Sequence, residues 1–472
     1  MSEYPLKKGE EFEAEIEPTL AFGGDGITRI DDYVVFVRDV LPEQKVLAKL
    51  VKRHSNYGEA IPVEVLEDSP HKTDWPCPHY PECGGCSFQD LNYVIQKENK
   101  RQQVVDLLER VGKFDNPDVR PTIGSQKIFH YRNKMEFSFG DNRWILSEND
   151  PRTPADFAFG LHAPGRWDKI LDLDICYLQS EARNRIFADL KRYVLEHDLA
   201  VWNLEEKEGF LRYLVLREGE HTGEIMLNIV TGYEDPDMLM PMVEMLVEKY
   251  PRIRSVVNNV NTRAGGSAIG EIEYLLYGDD VITDKIGQLE FEISANSFFQ
   301  TNTLQAEVLY EEIAKAAGVR DDEVVFDLFC GTGTIALYLA SGARRVFGFE
   351  VNQESIENAT RNAYHNEIFN VQFERLDMNK HVEFHKKVQE LDSPDIIIID
   401  PPRAGVAPKT LKELKQLHPR KYIYVSCNPG TLARDLKDLC DDTEYNVRSV
   451  QPVDMFPHTP HVEVVTQVVK ES

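Results

Sequence analysis

Over residues 1–68 apolar and polar side chains alternate in short runs, as they do in strands with one buried face. The runs fall at 11–16, 33–37, 45–51 and 60–65, broken by Gly23-Gly24-Asp25-Gly26 and by Leu41-Pro42. This spacing predicts a small five-stranded β-barrel. Residues 91–114 change period: Val94, Val104, Leu107, Leu108 and Val111 stand among charges, which predicts one amphipathic helix. Strand-like runs then recur at 131–140, 157–161, 211–217, 224–230 and 255–261, with helical patterns at 183–197 and 236–250, so the middle of the chain reads as α+β. From about residue 290 strand and helix patterns alternate regularly, which predicts an α/β domain with a largely parallel sheet.

Within that last region four strand patterns end in Gly-rich or carboxylate residues. The run 324–329 leads into the turn Cys330-Gly331-Thr332-Gly333-Thr334, 345–350 ends on Glu350, and 371–376 ends before Asp377. The fourth, 396–399, ends at Asp400-Pro401-Pro402-Arg403. Parallel topology puts all four ends on one rim, where glycines admit a ligand to the backbone and a carboxylate can accept ribose hydroxyls. A dinucleotide fold shows a similar first turn, but its third glycine position is Ala336 here. The next apolar run, 421–425, is followed by Ser426-Cys427-Asn428-Pro429. Asn-Pro stops the strand and leaves Cys427 at the ligand-binding edge. Taken alone, Cys427 and Cys330 read as packing, and Glu463, alternating into a last strand over 458–465, reads as solvent-facing.

Charge narrows the partners. The 472 residues carry 53 Lys and Arg against 80 Asp and Glu, a net charge of −27. Phosphate contacts come from basic side chains, so a nucleic-acid face would have to be local. Residues 45–53 and 127–134 are the candidate strips. No apolar run reaches the length of a membrane span, and the start lacks a signal-peptide pattern. Seven cysteines without such a signal indicate a reducing, cytoplasmic setting and metal or catalytic roles.

Three of those cysteines, Cys77, Cys83 and Cys86, crowd a loop rich in Pro and Gly, with Cys176 as the candidate fourth ligand. Four thiolates suit tetrahedral zinc or a [4Fe–4S] cluster, and spacing does not decide between them. His79 in place of one thiolate would favour zinc. The spacing differs from that of radical S-adenosylmethionine enzymes.

The set Ser426-Cys427-Asn428-Pro429, Asp400-Pro401-Pro402-Arg403, His461-Val462-Glu463 and Asn296-Ser297-Phe298-Phe299-Gln300 resembles the RNA uracil-C5 methyltransferases over essentially the full length. The cysteine spacing is similar to the [4Fe–4S] site of the branch that modifies 23S ribosomal RNA, and the first 68 residues resemble its TRAM domain, an OB-like RNA-binding barrel. The resemblance implies three domains: 1–68 (TRAM), 69–290 (central, with the iron–sulfur site) and 291–472 (Rossmann-like methyltransferase), the helix near 91–114 packing on the last. It implies S-adenosylmethionine as methyl donor, held by Gln300, Phe329, Glu350, Asp377 and Asp400. Thr334 stands where relatives often have Asn. Cys427 matches the nucleophile, Glu463 the general base, and Cys77, Cys83, Cys86 and Cys176 the cluster ligands. In amino-methylating enzymes an aromatic residue follows Asp-Pro-Pro; Arg403 there speaks against N-methylation. The expected partner is RNA, 23S ribosomal RNA before transfer RNA, the protein acting as a monomer away from membranes. The rival from another class is a non-catalytic iron–sulfur RNA-binding protein.

The chemistry asks for these residue types in any fold. Uracil C5 is a poor nucleophile until a thiolate adds at C6 and makes C5 enolate-like, after which a base must remove H5 and the thiolate must leave. Thiolate is the reactive form, and the base must leave its stack to reach it.

Overall fold

The computed structural model describes residues 5–146, 156–263, 265–378 and 380–471. Residues 1–4, part of the stretch read for a signal peptide, lie outside the described residues. Strands β1 (Glu11–Glu15), β2 (Gly26–Ile30), β3 (Tyr33–Val37), β4 (Lys45–Arg53) and β5 (Tyr57–Glu67) form a five-stranded sheet in the order β1-β4-β5-β3-β2. Alternation sets its inner face, with Val35, Val37, Val46, Ala48, Leu50 and Ala60 in one apolar cluster. The additional strand, β2, begins inside the Gly-rich break, and a Cβ at Gly26 would run into the Val40 and Ile16 side chains. The basic strip on β4 is neutralised by neighbours: Lys45 pairs with Glu67 at 3.0 Å, Lys49 with Glu11 at 3.4 Å and Lys52 with Glu59 at 2.9 Å. Exposed pairs of this kind stabilise little; their effect is to cancel charge. In the second strip Lys127 pairs with Glu220.

Helix α1 (Tyr93–Arg110) begins at Asn92, whose side chain accepts the Val94 N–H at 2.9 Å. It buries a different face from the one its apolar residues suggest. Gln96, Asn99, Lys100 and Gln103 are buried with Val104 and Leu108, whereas Val94 is 65% and Val111 41% exposed. The cause is what the helix packs on. Lys100 forms a buried ion pair with Asp454 at 2.5 Å, and Tyr93 donates its hydroxyl to the same carboxylate at 2.9 Å. Val104 and Leu108 join the apolar cluster of the C-terminal sheet.

The middle of the chain contains β6 (Lys134–Gly140), β7 (Ala158–Ala163), β8 (Arg166–Asp172), α2 (Glu181–Glu196), β9 (Leu211–Glu218), β10 (Ile225–Thr231), α3 (Pro236–Lys249), β11 (Ile253–Val260) and β12 (Ile272–Gly278). Its seven strands run β12-β11-β10-β9-β6-β7-β8, and α2 and α3 share one apolar core with them. A hairpin, β13 (Val281–Ile286) and β14 (Leu289–Ser294), straddles residue 290.

The C-terminal region comprises α4 (Thr303–Ala317), β15 (Val324–Leu328), α5 (Thr334–Ala340), β16 (Arg345–Glu350), α6 (Gln353–His365), β17 (Val371–Arg375), α7 (His381–Gln389), β18 (Ile396–Ile399), α8 (Pro408–Lys415), β19 (Lys421–Ser426), α9 (Pro429–Cys440), β20 (Tyr445–Val453) and β21 (Glu463–Lys470). The sheet order is β17-β16-β15-β18-β19-β21-β20. Its first five strands are parallel, while β21 lies antiparallel to both β19 and β20. Apolar clusters cover the sheet, one built on Phe326, Ile397 and Tyr424, the other on Val325, Ile398 and Val425. Chain order reverses between β15 and β18, and such a switch point opens a crevice at the strands' C-terminal ends. The last strand starts later than the pattern 458–465 suggests. His458 has φ 65° and Pro460 follows, which keeps 458–462 out of the ladder. Among the described residues no helix is long and apolar enough to cross a membrane.

Candidate active site

The rim forms where β15 ends. Phe329 takes φ 64°, a left-handed conformation for a residue with a Cβ, and Gly331 and Gly333 follow at 52° and 77°. A Cβ on Gly333 would strike Phe373 at 2.5 Å, while one on Gly331 would meet nothing within 4 Å. Gly333 is therefore required by packing, and Gly331 leaves open space at the turn. Glu350, at the end of β16, is knitted into this turn. Its carboxylate accepts the N–H of Gly331 at 3.2 Å, Val351 at 2.8 Å and Asn352 at 2.9 Å. Asp377 lies two residues past β17, directly after Leu376, whose N–H donates to Glu350 O at 2.8 Å. Thr334 shares a hydrogen bond with Tyr310 at 2.8 Å. Cys330 is buried packing, as expected, with Sγ 2.9 Å from where a Gly348 Cβ would stand.

Gln300 arrives from outside this sheet. Its loop is held by the middle domain: Asn133 donates to Gln300 O at 2.7 Å and to the Thr303 hydroxyl at 2.8 Å, and Arg217 donates to Ser297 O at 2.5 Å. The same loop exposes Phe298, 66% accessible, and its carbonyl accepts the Thr332 hydroxyl at 3.3 Å. Within the 127–134 strip, Asn133 and Tyr131 make internal links: Tyr131 is buried and donates to Pro457 O at 3.2 Å.

Cys427 follows β19 in a knotted turn. Ser426 Oγ accepts the Asn428 N–H and donates to Asn428 O, both at 3.1 Å. Asn428 caps α9 through the Gly430 N–H at 3.0 Å and ties the turn to Arg403 O at 2.9 Å. Ser426 pairs with Val464 across the antiparallel ladder. Continuing that register by one residue sets Cys427 opposite Glu463, with both side chains on one face. Glu463 is 7% exposed, so it is buried where alternation in sequence suggested solvent. The strand lies inside the sheet, between β19 and β20, and both of its faces are covered.

Electrostatics join these groups. Burial pushes the Cys427 thiol up to about 11, the charges of Glu463 and Asp400 push the same way, and Arg403 opposes them. Burial raises the Glu463 carboxyl well above the carboxylate range, Asp400 adds to this, and Arg403 again opposes. Asp400, directly after β18, is raised to about 7 by burial. Sequence reasoning noted Arg403 only as a missing aromatic; here it is the cation shared by Cys427 and Glu463. It also gave Asp327 no role of its own. That residue is fully buried on β15, no hydrogen bond of ordinary geometry reaches either oxygen, and its carboxyl is raised well above the usual range. A buried, unpaired carboxyl beside an open glycine turn suits a ligand bearing positive charge and hydroxyls.

The four candidate metal cysteines converge away from this rim. Cys77, Cys83, Cys86 and Cys176 line one small cavity with His79 and Tyr80. Burial pushes the Cys83 and Cys86 thiols up to about 12, and the neighbouring sulfurs raise both further. His79 Nε2 accepts the Asp174 N–H at 3.1 Å. Among the described residues no group of three or more His, Cys, Asp or Glu has the arrangement to hold a metal ion.

Residues 268–470 match the model of the tRNA (Uracil-5-)-methyltransferase family. An RNA methyltransferase of Chlorobaculum tepidum is 42% identical over 91% of this chain and 90% of its own. One of Clostridium acetobutylicum is 36% identical over 98% of both chains. Among solved structures, the Pyrococcus abyssi tRNA (uracil-54, C5)-methyltransferase in complex with S-adenosyl-L-homocysteine is similar at a TM-score of 0.74 and 30% identity, covering 97% of this chain and 100% of that one. The glycine turn, the carboxylate rim and the Cys427–Glu463 pair thus belong to an RNA uracil-C5 methyltransferase, the family of which this chain is a member.

Proposed function

We propose that the chain methylates C5 of one uridine in 23S ribosomal RNA through a transient bond between Cys427 and uracil C6, with Glu463 as the base that removes H5. The observation that carries this reading is the Ser426–Val464 register, from which Cys427 and Glu463 follow as the next residues, with Asp400 and Arg403 acting electrostatically on both. S-adenosylmethionine, when bound, supplies an electrophilic methyl group; Gln300, Phe329, Glu350, Asp377 and Asp400 are the residues that would hold it, with Thr334 beside them. Asp327 and the Gly331 opening support that fit.

The chain's own groups do the rest. Arg403 lowers the cost of forming the Cys427 thiolate that burial opposes. The thiolate adds at C6, its electron pair forming the C–S bond while the C5–C6 π pair moves to C5 and O4. After methylation Glu463 takes H5, the C5–C6 double bond reforms, and the C–S pair returns to sulfur. A carboxyl raised by burial is a stronger base once ionised, as the H5 step requires. The rival reading as a non-catalytic RNA binder leaves the buried Cys427–Glu463 pair without a purpose.

We propose that the four cysteines hold a [4Fe–4S] cluster, on the chemistry of their four thiols and not on a preformed metal-binding arrangement, which the described residues lack. A single zinc ion wants its donors within about 2.3 Å of one point, whereas a cluster spreads four thiolates around a larger volume. All four sulfurs line one cavity. The five-stranded N-terminal sheet supports a TRAM-type RNA-binding unit, one that would bind through few free cations. Transfer RNA is the second reading of the substrate, favoured by the full-length likeness to a tRNA enzyme. Mapping 5-methyluridine in ribosomal and transfer RNA from a strain lacking the gene tests the assignment: one 23S uridine loses its methyl group, and loss confined to transfer RNA selects the second reading.

A further inference from the structure

The segment 454–462 joins β20 to β21 and delivers Glu463. At its centre His458 holds φ 65°, a conformation that a residue with a side chain keeps only where its surroundings over-determine it. Two elements do so. The N–H groups of Ser87 and Phe88, the residues directly after Cys86, donate to His458 O at 2.8 and 3.1 Å. From α1, Gln96 Oε1 accepts the His458 N–H at 2.9 Å. The other end of the same amide donates to Phe88 O at 2.9 Å and Leu91 O at 2.7 Å. One buried side chain, 2% exposed, therefore grips both the cysteine loop and the catalytic turn. The His458 ring completes the clamp by stacking on Phe129 at 4.4 Å.

We infer that the four-cysteine loop is the abutment of the catalytic turn, placing Glu463 through Ser87, Phe88 and His458, with Gln96 as the positioning residue. The order of that loop, which a cluster held by its thiols would fix, is then transmitted five residues along the chain to the base by the chain's own hydrogen bonds. This rests on Glu463 being the base that removes H5.

The test uses the full chain. Gln96→Leu lowers kcat at least tenfold with KM for RNA within twofold, and a denaturation-stable protein–RNA adduct accumulates on ordinary uridine RNA, since addition by Cys427 continues while H5 removal stalls. Amide exchange across 454–463, compared between protein reconstituted with iron and sulfide and protein stripped by ferricyanide and EDTA, quickens at least tenfold on stripping, with residues 11–67 unchanged. Wild-type turnover by folded Gln96→Leu, or unchanged exchange across 454–463 on stripping, overturns the proposal. Should Gln96→Leu not fold, the exchange comparison on the wild-type chain decides alone. Free product release by Glu463→Gln would instead remove Glu463 as the base, while the exchange result still judges the clamp.

Discussion

Cys427 is a thiol held in its protonated form by burial and by two neighbouring carboxyls, with Arg403 as counterweight. Cys427→Ala is expected to abolish turnover and the covalent adduct with 5-fluorouridine RNA, read by gel shift under denaturing conditions. Arg403→Ala, which leaves the thiol's burial intact, should slow adduct formation by ten- to a hundredfold, read as the rate of that shift. Because the thiol sits near 11, its thiolate fraction rises about tenfold per pH unit below that value. The single-turnover addition rate is accordingly expected to climb between pH 7 and 9, and a flat profile would remove thiolate formation from the rate. Asp400 adds a stability signature. Its folded value is near 7 against about 3.9 in an unfolded chain. Between these the folded state binds more protons, so its contribution falls as pH rises from 4 to 7, by up to roughly 4 kcal/mol. Asp400→Asn should then melt higher than wild type at pH 8, match it near pH 4, and be inactive; equal melting at both pH values would contradict the buried carboxyl.

At the scale of elements, α1 and β21 show how far sequence reaches. Strand–helix alternation after residue 290 identified the parallel sheet and its rim because each strand pattern ended in a residue type with few structural uses. Period alone could not assign the faces. α1 has its valines at 94 and 111 in solvent because the surface it meets offers Asp454 and the His458 backbone, partners fixed only by the tertiary fold. Glu463 looked solvent-facing by alternation because a local pattern does not show what packs on a sheet; apolar clusters cover both faces of β21, one with Val464 and Val468, the other with Val465. Strand β2 was hidden in a glycine break whose last residue is forced by Val40 and Ile16. The Cys427 turn gives an element-level prediction. Asn428→Ala removes the α9 cap and the tie to Arg403 O, costing about 1 kcal/mol, and is expected to reduce turnover more than that loss of stability explains. Thermal melting and kcat measured on the same preparation check it.

Across the whole molecule, the parts that hold the site come from far along the chain. Asn133 and Arg217 of the middle domain fix the Gln300 loop, and Lys100 of α1 fixes Asp454. The acidic surface, with its lysines paired on β4, implies that few phosphates are neutralised on binding. The logarithm of RNA affinity is therefore expected to fall with the logarithm of salt at a shallow slope, about −3 or flatter. Filter binding between 50 and 300 mM salt checks this, and a slope near −8 would reveal a broad basic face.

The antiparallel seam between β19 and β21 has one further consequence. Side chains on neighbouring strands change face with every single step of slippage, so inserting or deleting one residue of β21 just after Glu463 would turn the carboxyl away from the thiol while leaving the sheet able to form. Length variation among descendants of this chain is thereby confined to segments ahead of the 454–463 turn or to the far end of β21. The count from His458 to Glu463 is fixed, and so is the count from 463 to the residue facing Lys421, which is Val469.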